Sequence, residues 1–429
     1  MGADPDLSAR PAGTQAGSGR SGVDARRAVG VQVGEGNTQI IYTYNRLTWT
    51  DGVAPPPLVD VSGVIDSPYR GLGAFEERDA AFFFGREAAA TQVLELMSRH
   101  LDGLGLLVVS GVSGAGKSSL LRAGVLPRIR GTGLAVAPGS ARWPCLLFTP
   151  ARAPLDEMAV RVASLAGADA AAVRRGLAAD PAGFALTARQ AALAQPASPA
   201  GDPDGAGRDP QRPRQPRQPP PQPRRRLLLV VDQFEQLFTQ CPDEEQRRAF
   251  ITALHAAAST GPGPDQAPAA LVVLGVRADF EARCADYPQL AGAVQDRYLV
   301  TPMTERQLRM AITEPARKTG ASVGDDLVEV LLREVRSRDP SSSPAVSPFG
   351  AACGAGVLPL LSHALDQAWR SRTGDVLTLA DYDRAGGIEG AVADSAQRAY
   401  GRLTPRAAGG GPAGVHPADR HQQRRRGHG

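Results

Sequence analysis

The chain has 429 residues, 42% of them hydrophobic, which is enough for two domains and a sizeable core. Its formal charge of +4 is confined to the stretch after Pro405, where five arginines meet one acid, so the rest is neutral and gives no reason to expect a nucleic-acid or membrane partner. Four scattered cysteines (Cys145, Cys241, Cys284, Cys353), a polar N-terminus and no apolar run near the roughly 18 residues of a membrane helix argue against zinc, disulfides, a signal peptide and a membrane span; a soluble cytoplasmic protein is expected.

Residues 1–29 lack periodicity and are expected to be disordered. An island rich in β-formers follows at residues 30–45, and residues 46–66, with Pro55, Pro56 and Pro57, read as a linker. Folding is expected to begin near Ser67. The segment Phe84-Gly85-Arg86-Glu87 leads into a helix with Val93, Leu96, Met97 and Leu101 on one face. Apolar runs at Leu104–Val109, Cys145–Phe148, Leu227–Val231, Leu271–Val276 and Tyr298–Val300 read as strands separated by helical patterns. That alternation predicts an α/β fold, a parallel sheet covered by helices on both faces.

Residues 196–226 are rich in Pro and Arg and read as an exposed insertion, either a solvated spacer or a ligand for an SH3-like groove. After Val300 the pattern turns helical over Glu305–Lys318, Asp325–Arg338, Leu358–Arg372 and Ile388–Leu403, with a Pro/Ser/Gly loop at 339–356. The last two helices are expected to expose an apolar face. Residues 405–429 have no apolar periodicity and are expected to be disordered.

The chemistry is concentrated in Gly111-Val112-Ser113-Gly114-Ala115-Gly116-Lys117-Ser118, a match to G-x-x-x-x-G-K-[ST] between a strand and a helix. Gly111, Ser113, Gly114 and Gly116 let backbone N–H groups turn inward on a phosphate, and Ser119 continues into the helix whose N-terminus assists. Lys117 is one of only two lysines, which makes its place in the motif informative. It would reach the β- and γ-phosphates and is expected to be solvated without nucleotide. Ser118 would ligate Mg²⁺. The strand Leu227–Val231 ends in Asp232, the Walker B pattern, which would hold magnesium through water or else cap a helix. Gln233 stands where a hydrolytic base usually follows. Glu235 is the nearest acid and is either that base or a surface carboxylate. Arg277 ends the next strand and either senses a γ-phosphate or pairs with Asp279.

Phe84-Gly85-Arg86-Glu87, the glycine loop, Val231-Asp232-Gln233-Phe234-Glu235, Arg277-Ala278-Asp279-Phe280 and Gly356-Val357-Leu358-Pro359-Leu360-Leu361-Ser362-His363-Ala364-Leu365 occur in an order that resembles the STAND NTPases. More narrowly, the series is similar to the novel STAND branch common in actinobacteria, over residues 67–403. The resemblance implies a P-loop core (67–304), then a helical lid and the start of a winged helix (305–404) that close over ATP or ADP with Mg²⁺. It implies a signalling switch, closed with ADP and assembling with ATP, with slow hydrolysis. It also implies that Pro359 touches the adenine, a role compatible with a proline in a helix's first turn, and that Phe84–Arg86, including Arg86, lies near the base. Such proteins usually continue into a sensor. Here a Gly/Arg-rich tail follows, expected to be a truncated or frameshifted end.

The island Val31-Gln32-Val33-Gly34 resembles the core of RIP-type homotypic motifs, and Asn37-Thr38-Gln39 resembles bacterial amyloid signalling motifs. The resemblance implies self-association or an effector with a like motif; an isolated hairpin at Glu35-Gly36-Asn37 is the alternative. Two rivals to the switch remain open. One is a scaffold that binds nucleotide without hydrolysis, and the other is a self-assembling protein with a vestigial NTPase.

Overall fold

The computed structural model describes residues 67–194, 225–261, 267–337 and 357–388, with Gly390. The expectations for residues 1–66, for most of the Pro/Arg insertion, for the 339–356 loop, for the helix expected after Gly390 and for the tail lie outside the described residues.

Five strands form one parallel sheet: β1 (Leu106–Gly111), β2 (Cys145–Phe148), β3 (Leu227–Val231), β4 (Ala270–Arg277) and β5 (Tyr298–Leu299), in the order β2-β3-β4-β1-β5. The apolar runs of the three inner strands, β1, β3 and β4, are buried on both faces, as a parallel sheet between helices requires, while the edge strands β2 and β5 are less covered. Alternation decides which face each side chain serves. Leu106, Val108, Leu227, Leu229, Val231, Val272 and Leu274 enter one core. Leu107, Val109, Leu228, Val230, Leu271 and Val273 enter the other. β4 is one residue longer at each end than the apolar run suggested. β5 is shorter, although Val300 N–H still donates to Ser110 O at 2.7 Å.

The second of these faces is covered by α1 (Glu87–Arg99) and by α2 (Lys117–Ser119), which passes through a π-helical stretch at Leu120–Val125 into α3 (Leu126–Thr132). The first is covered by α4 (Pro154–Ala166), α5 (Ala170–Ala179), α6 (Phe184–Ala194), α7 (Gln236–Thr239), α8 (Glu244–Ala258), α9 (Glu281–Ala285) and α10 (Pro288–Gln295). The insertion was placed one stretch too far toward β3. Arg226 is only 5% exposed, and its guanidinium lies 5.9 Å from the Trp143 ring centroid, so the fold resumes before Leu227.

A second helical unit stands where a lid is expected, and is called the lid below. It comprises α11 (Glu305–Lys318), α12 (Asp325–Ser337), α13 (Leu358–Ser371) and α14 (Leu379–Arg384), with a short parallel pair of β6 (Ser322–Val323) and β7 (Val376–Leu377). A capping box fixes where it begins: Gln307 N–H donates to Thr304 Oγ, and Thr304 N–H donates to Gln307 Oε1. Leu327, Val328, Leu331, Leu332 and Val335 repeat at helical spacing and bury one face of α12. The apolar face expected to be exposed on α13 is not. Leu361, Ala364, Leu365, Ala368 and Trp369 are all buried, and no large apolar side chain of α13 is exposed.

Residues 67–84, which precede α1, form a strap that serves both units. Tyr69 belongs to the lid core: its ring meets Trp369 edge-on at 5.9 Å, and its hydroxyl donates to Ile312 O at 2.6 Å. A 3₁₀ helix (Glu77–Phe82) then runs beside the glycine-loop helix. Gly85 closes the strap at φ 84°, where an added Cβ would stand 2.4 Å from Gln307 O, so only glycine fits. Among the described residues, no helix is long and apolar enough to cross a membrane.

Candidate nucleotide site

The sheet register sets the site. Gly111 of β1 pairs with Arg277 of β4, and Val231 of β3 pairs with Leu274, so Asp232 emerges beside the glycine loop at the strands' C-terminal ends. That edge is where parallel α/β sheets place ligands. Gly114 and Gly116 adopt φ of 74° and 87°, left-handed turns that wrap the loop ahead of Lys117. Gly111 itself lies behind the loop, at the end of β1, and does not line the cavity.

Lys117 is partly buried, with its ammonium turned back on its own loop. Its ammonium donates to Gly111 O at 2.7 Å and to Val112 O at 2.9 Å, carbonyls of its own loop. Burial pushes its pKa down from the ordinary lysine value, opposed by the carboxylates of Glu235 and Asp232. Its charge is held locally, close to the position a phosphate would take.

Ser118 Oγ donates to Asp232 Oδ1 at 3.0 Å, which brings the two residues read as the magnesium site together. A hydroxyl and a carboxylate oxygen fit Mg²⁺, which takes one or two protein oxygens and completes its shell with phosphate and water. Asp232 is 1% exposed, and its other oxygen is engaged by a residue the sequence reading did not single out. Arg122, in the π-helical stretch, donates to Asp232 Oδ2 from Nη2 at 2.9 Å and from Nε at 3.2 Å. A motif reading had no signal for it, because its direction depends on the π-turn.

Gln233 has φ 52°, uncommon for a residue with a side chain, and its N–H donates to Asp232 Oδ1 at 2.9 Å. Its side-chain oxygen accepts from Gln236 Nε2 at 2.6 Å, so the residue in the usual base position is engaged within its own turn. Glu235 lies on the cavity wall and accepts from the Arg277 N–H at 3.3 Å. Burial raises its carboxyl above the usual range, outweighing its backbone hydrogen bonds and Lys117. Arg277 also lines the cavity, but its guanidinium is paired bidentately with Asp279, at 2.7 and 3.1 Å.

The strap and the lid close the far side of the same cavity, which encloses about 300 Å³, at the lower end of small-molecule sites. Phe83, Met303, Leu358, Pro359 and Leu361 add apolar wall to the cavity that Lys117, Ser118 and Asp232 line, and Leu358 comes up against Gly116 of the loop. Pro359 occupies the first turn of α13 and lines the cavity. Ser362, also on the wall, has a buried hydroxyl without a hydrogen-bond partner. Ser113 lines the phosphate end. Ser119 does too, but its hydroxyl accepts from Phe75 N–H at 3.1 Å and so ties the strap to the loop helix. Arg86 also lines the cavity and is 4% exposed, with its donors on backbone carbonyls. Those donors reach Thr301 O at 2.8 Å and Ala115 O at 3.0 Å, bracing the loop from beneath.

A parallel sheet with a glycine loop after β1 and an acid after β3 defines a P-loop NTPase fold. The family model for novel STAND NTPase 1 matches residues 68–409, and the chain belongs to that family. Comparison with curated proteins found no significant match. Solved structures that resemble it include the Walker-type ATPase of Pyrococcus abyssi, at 13% identity and a TM-score of 0.39, covering 76% of this chain and 75% of that one. The Aeropyrum pernix ORC2 protein in its ADP form is 12% identical with a TM-score of 0.41, covering 77% and 76%. The E. coli MS115-1 HORMA:CdnC:Trip13 complex gives 15% and 0.38, covering 78% of this chain and 91% of the matched one.

Proposed function

We propose that the chain is a nucleotide-controlled signalling switch of the STAND type, holding Mg-ADP or Mg-ATP between its P-loop core and its lid. The observation that carries this is one cavity lined from both units. Lys117, Ser118 and Asp232 of the core line it, and so do Leu358 and Pro359 of the lid. A nucleotide spanning that cavity binds core and lid at once, so its phosphates bias how the two pack.

The residues divide the work accordingly. Backbone N–H groups of the loop and the Lys117 ammonium take the β-phosphate region; Ser118 and Asp232 hold Mg²⁺, which supplies charge neutralisation between phosphates. Glu235, with its raised pKa, is the residue placed to take a proton from water in slow hydrolysis. Arg277 would reach a γ-phosphate with Nη1, which its pair with Asp279 does not use, or by leaving Asp279. The engaged Gln233 and the paired Arg277 favour a second reading, binding without turnover. The finer reading adds self-association, or pairing with an effector, through the motif at residues 30–45.

The deciding experiment identifies the nucleotide retained by purified protein after denaturation, then measures ATP turnover beside ATP affinity by calorimetry. Retained ADP with slow turnover supports the switch. Binding without any turnover supports the scaffold, and no nucleotide affinity defeats both. Deleting residues 30–45 and measuring self-association by light scattering tests the motif.

A further inference from the structure

Arg122 stands between two carboxylates that belong to different parts of the molecule. Its Nη2 and Nε hold Asp232 Oδ2, and its Nη1 donates to Glu76 Oε1 at 2.6 Å. Asp232 is the acid of the nucleotide site, and Glu76 is the N-cap of the strap's 3₁₀ helix. One guanidinium therefore serves two anions, and the group of three carries one negative charge in excess. Burial acts against the Arg122 charge, but Asp232 and Glu76 outweigh it and raise its pKa above the ordinary value. The planar fork of arginine holds Asp232 from two nitrogens while a third reaches Glu76, a geometry a lysine ammonium does not reproduce.

The local backbone is what aims it. Residues Leu120–Val125 form a π-helical stretch, a rare geometry that recurs where a helix must re-aim a side chain for function. Arg122 sits inside that stretch and is only 8% exposed. The Glu76 side chain, in contrast, is 41% exposed, so its half of the bridge is the weaker and the easier to adjust. The strap continues the chain of contacts. Glu76 N–H donates to Asp79 Oδ2 at 2.9 Å, the buried Asp79 pairs with Arg70, and Phe75 N–H donates to Ser119 Oγ at 3.1 Å.

We propose that Arg122 is a positioning residue that transmits the charge state of Asp232 to the strap, so that magnesium at the nucleotide site tightens residues 70–84 against the loop helix. Asp232 divides its oxygens, Oδ1 toward Ser118 and Oδ2 toward Arg122. When Ser118 and Asp232 serve a divalent cation, the carboxylate's charge is drawn toward that cation. Arg122 then gives more of its own charge to Glu76. The strap carries Tyr69 into the lid core at its other end, so a tighter strap is a signal the lid can receive. The inference rests on the magnesium-nucleotide reading of the site.

Hydrogen exchange of the full chain with ADP, with and without Mg²⁺, tests it. In the wild type, Mg²⁺ should slow exchange at the Phe75, Glu76 and Asp79 amides by about threefold, the response to a fraction of a kcal/mol in local opening. Arg122→Lys keeps the charge but loses the fork and should abolish that response while still binding ADP. Glu76→Gln, a change on a half-exposed side chain, should abolish it as well and covers the case in which Arg122→Lys fails to fold. Equal exchange with and without Mg²⁺ in wild-type protein that calorimetry finds loaded with ADP overturns the inference and leaves the site reading standing. A full Mg²⁺ response in either variant overturns it too, reducing Arg122 to a structural ion pair. Absence of any ADP binding overturns the site reading, and the inference falls with it.

Discussion

The ammonium nitrogen of Lys117 lies 2.7 Å from the carbonyl oxygen of Gly111, the residue that opens its own loop. The lysine therefore exchanges two carbonyl partners for phosphate oxygens when nucleotide enters, and its gain is the charge-assisted part of that exchange. Lys117→Ala should lower nucleotide affinity by roughly 10- to 100-fold, as for a hydrogen bond to a charged group, with a thermal midpoint close to wild type. Calorimetry of a folded variant with unchanged affinity would sink this.

Asp232→Asn removes charge from a carboxylate that serves Ser118 and Arg122 at once. ADP binding without Mg²⁺ should be affected least and Mg-ATP binding most, because the carboxylate acts through the metal. The variant should also lose about 3 kcal/mol of stability, since Arg122 stays buried with a weakened partner. Titrations with and without Mg²⁺, beside urea unfolding, check both halves; equal affinity losses in the two titrations contradict the first.

Gly85→Ala should destabilise the chain by about 2–4 kcal/mol, from a left-handed φ and an overpacked contact together. The added Cβ would meet Gln307 O at 2.4 Å, backbone against backbone, so the lid's first turn must shift. Denaturant unfolding measures the cost. A change within error would mean that strap and lid separate there freely.

Burial holds the Glu235 carboxyl above its ordinary range, so the folded chain keeps that proton more tightly than the unfolded one. Ionised Glu235 therefore costs stability at neutral pH, and the cost disappears below the unfolded pKa of about 4.3. Glu235→Gln should raise the melting temperature at pH 7 and lose that advantage as the pH falls through the carboxylate range. A gain that is the same at both ends of the range would rule the burial argument out.

Much of this molecule can be read from its residues, and the reason is physical. Strands buried on both faces must be continuously apolar, so Leu227–Val231 is visible as a run, and the glycine loop is visible because phosphate binding constrains each position. Pro359 was legible through a family likeness. What stayed hidden depends on conformation rather than composition. Arg122 reaches Asp232 through a π-turn that no periodicity announces, and Lys117 folds onto the Gly111 carbonyl of its own loop. β6 and β7 are two residues each, too short to carry a pattern. Arg226 closes a Pro/Arg run and is indistinguishable from it until its stacking on Trp143 is seen.

Tyr69 has one more consequence. It lies more than two hundred positions before α11, yet its ring fills the centre of the lid against Trp369. The lid is thus a unit in space but not in sequence. Residues 305–390 expressed alone would keep Trp369 but lack the Tyr69 ring that packs on it, and a cut between Tyr69 and Gly85 would separate that ring from the core without touching any of the lid's helices.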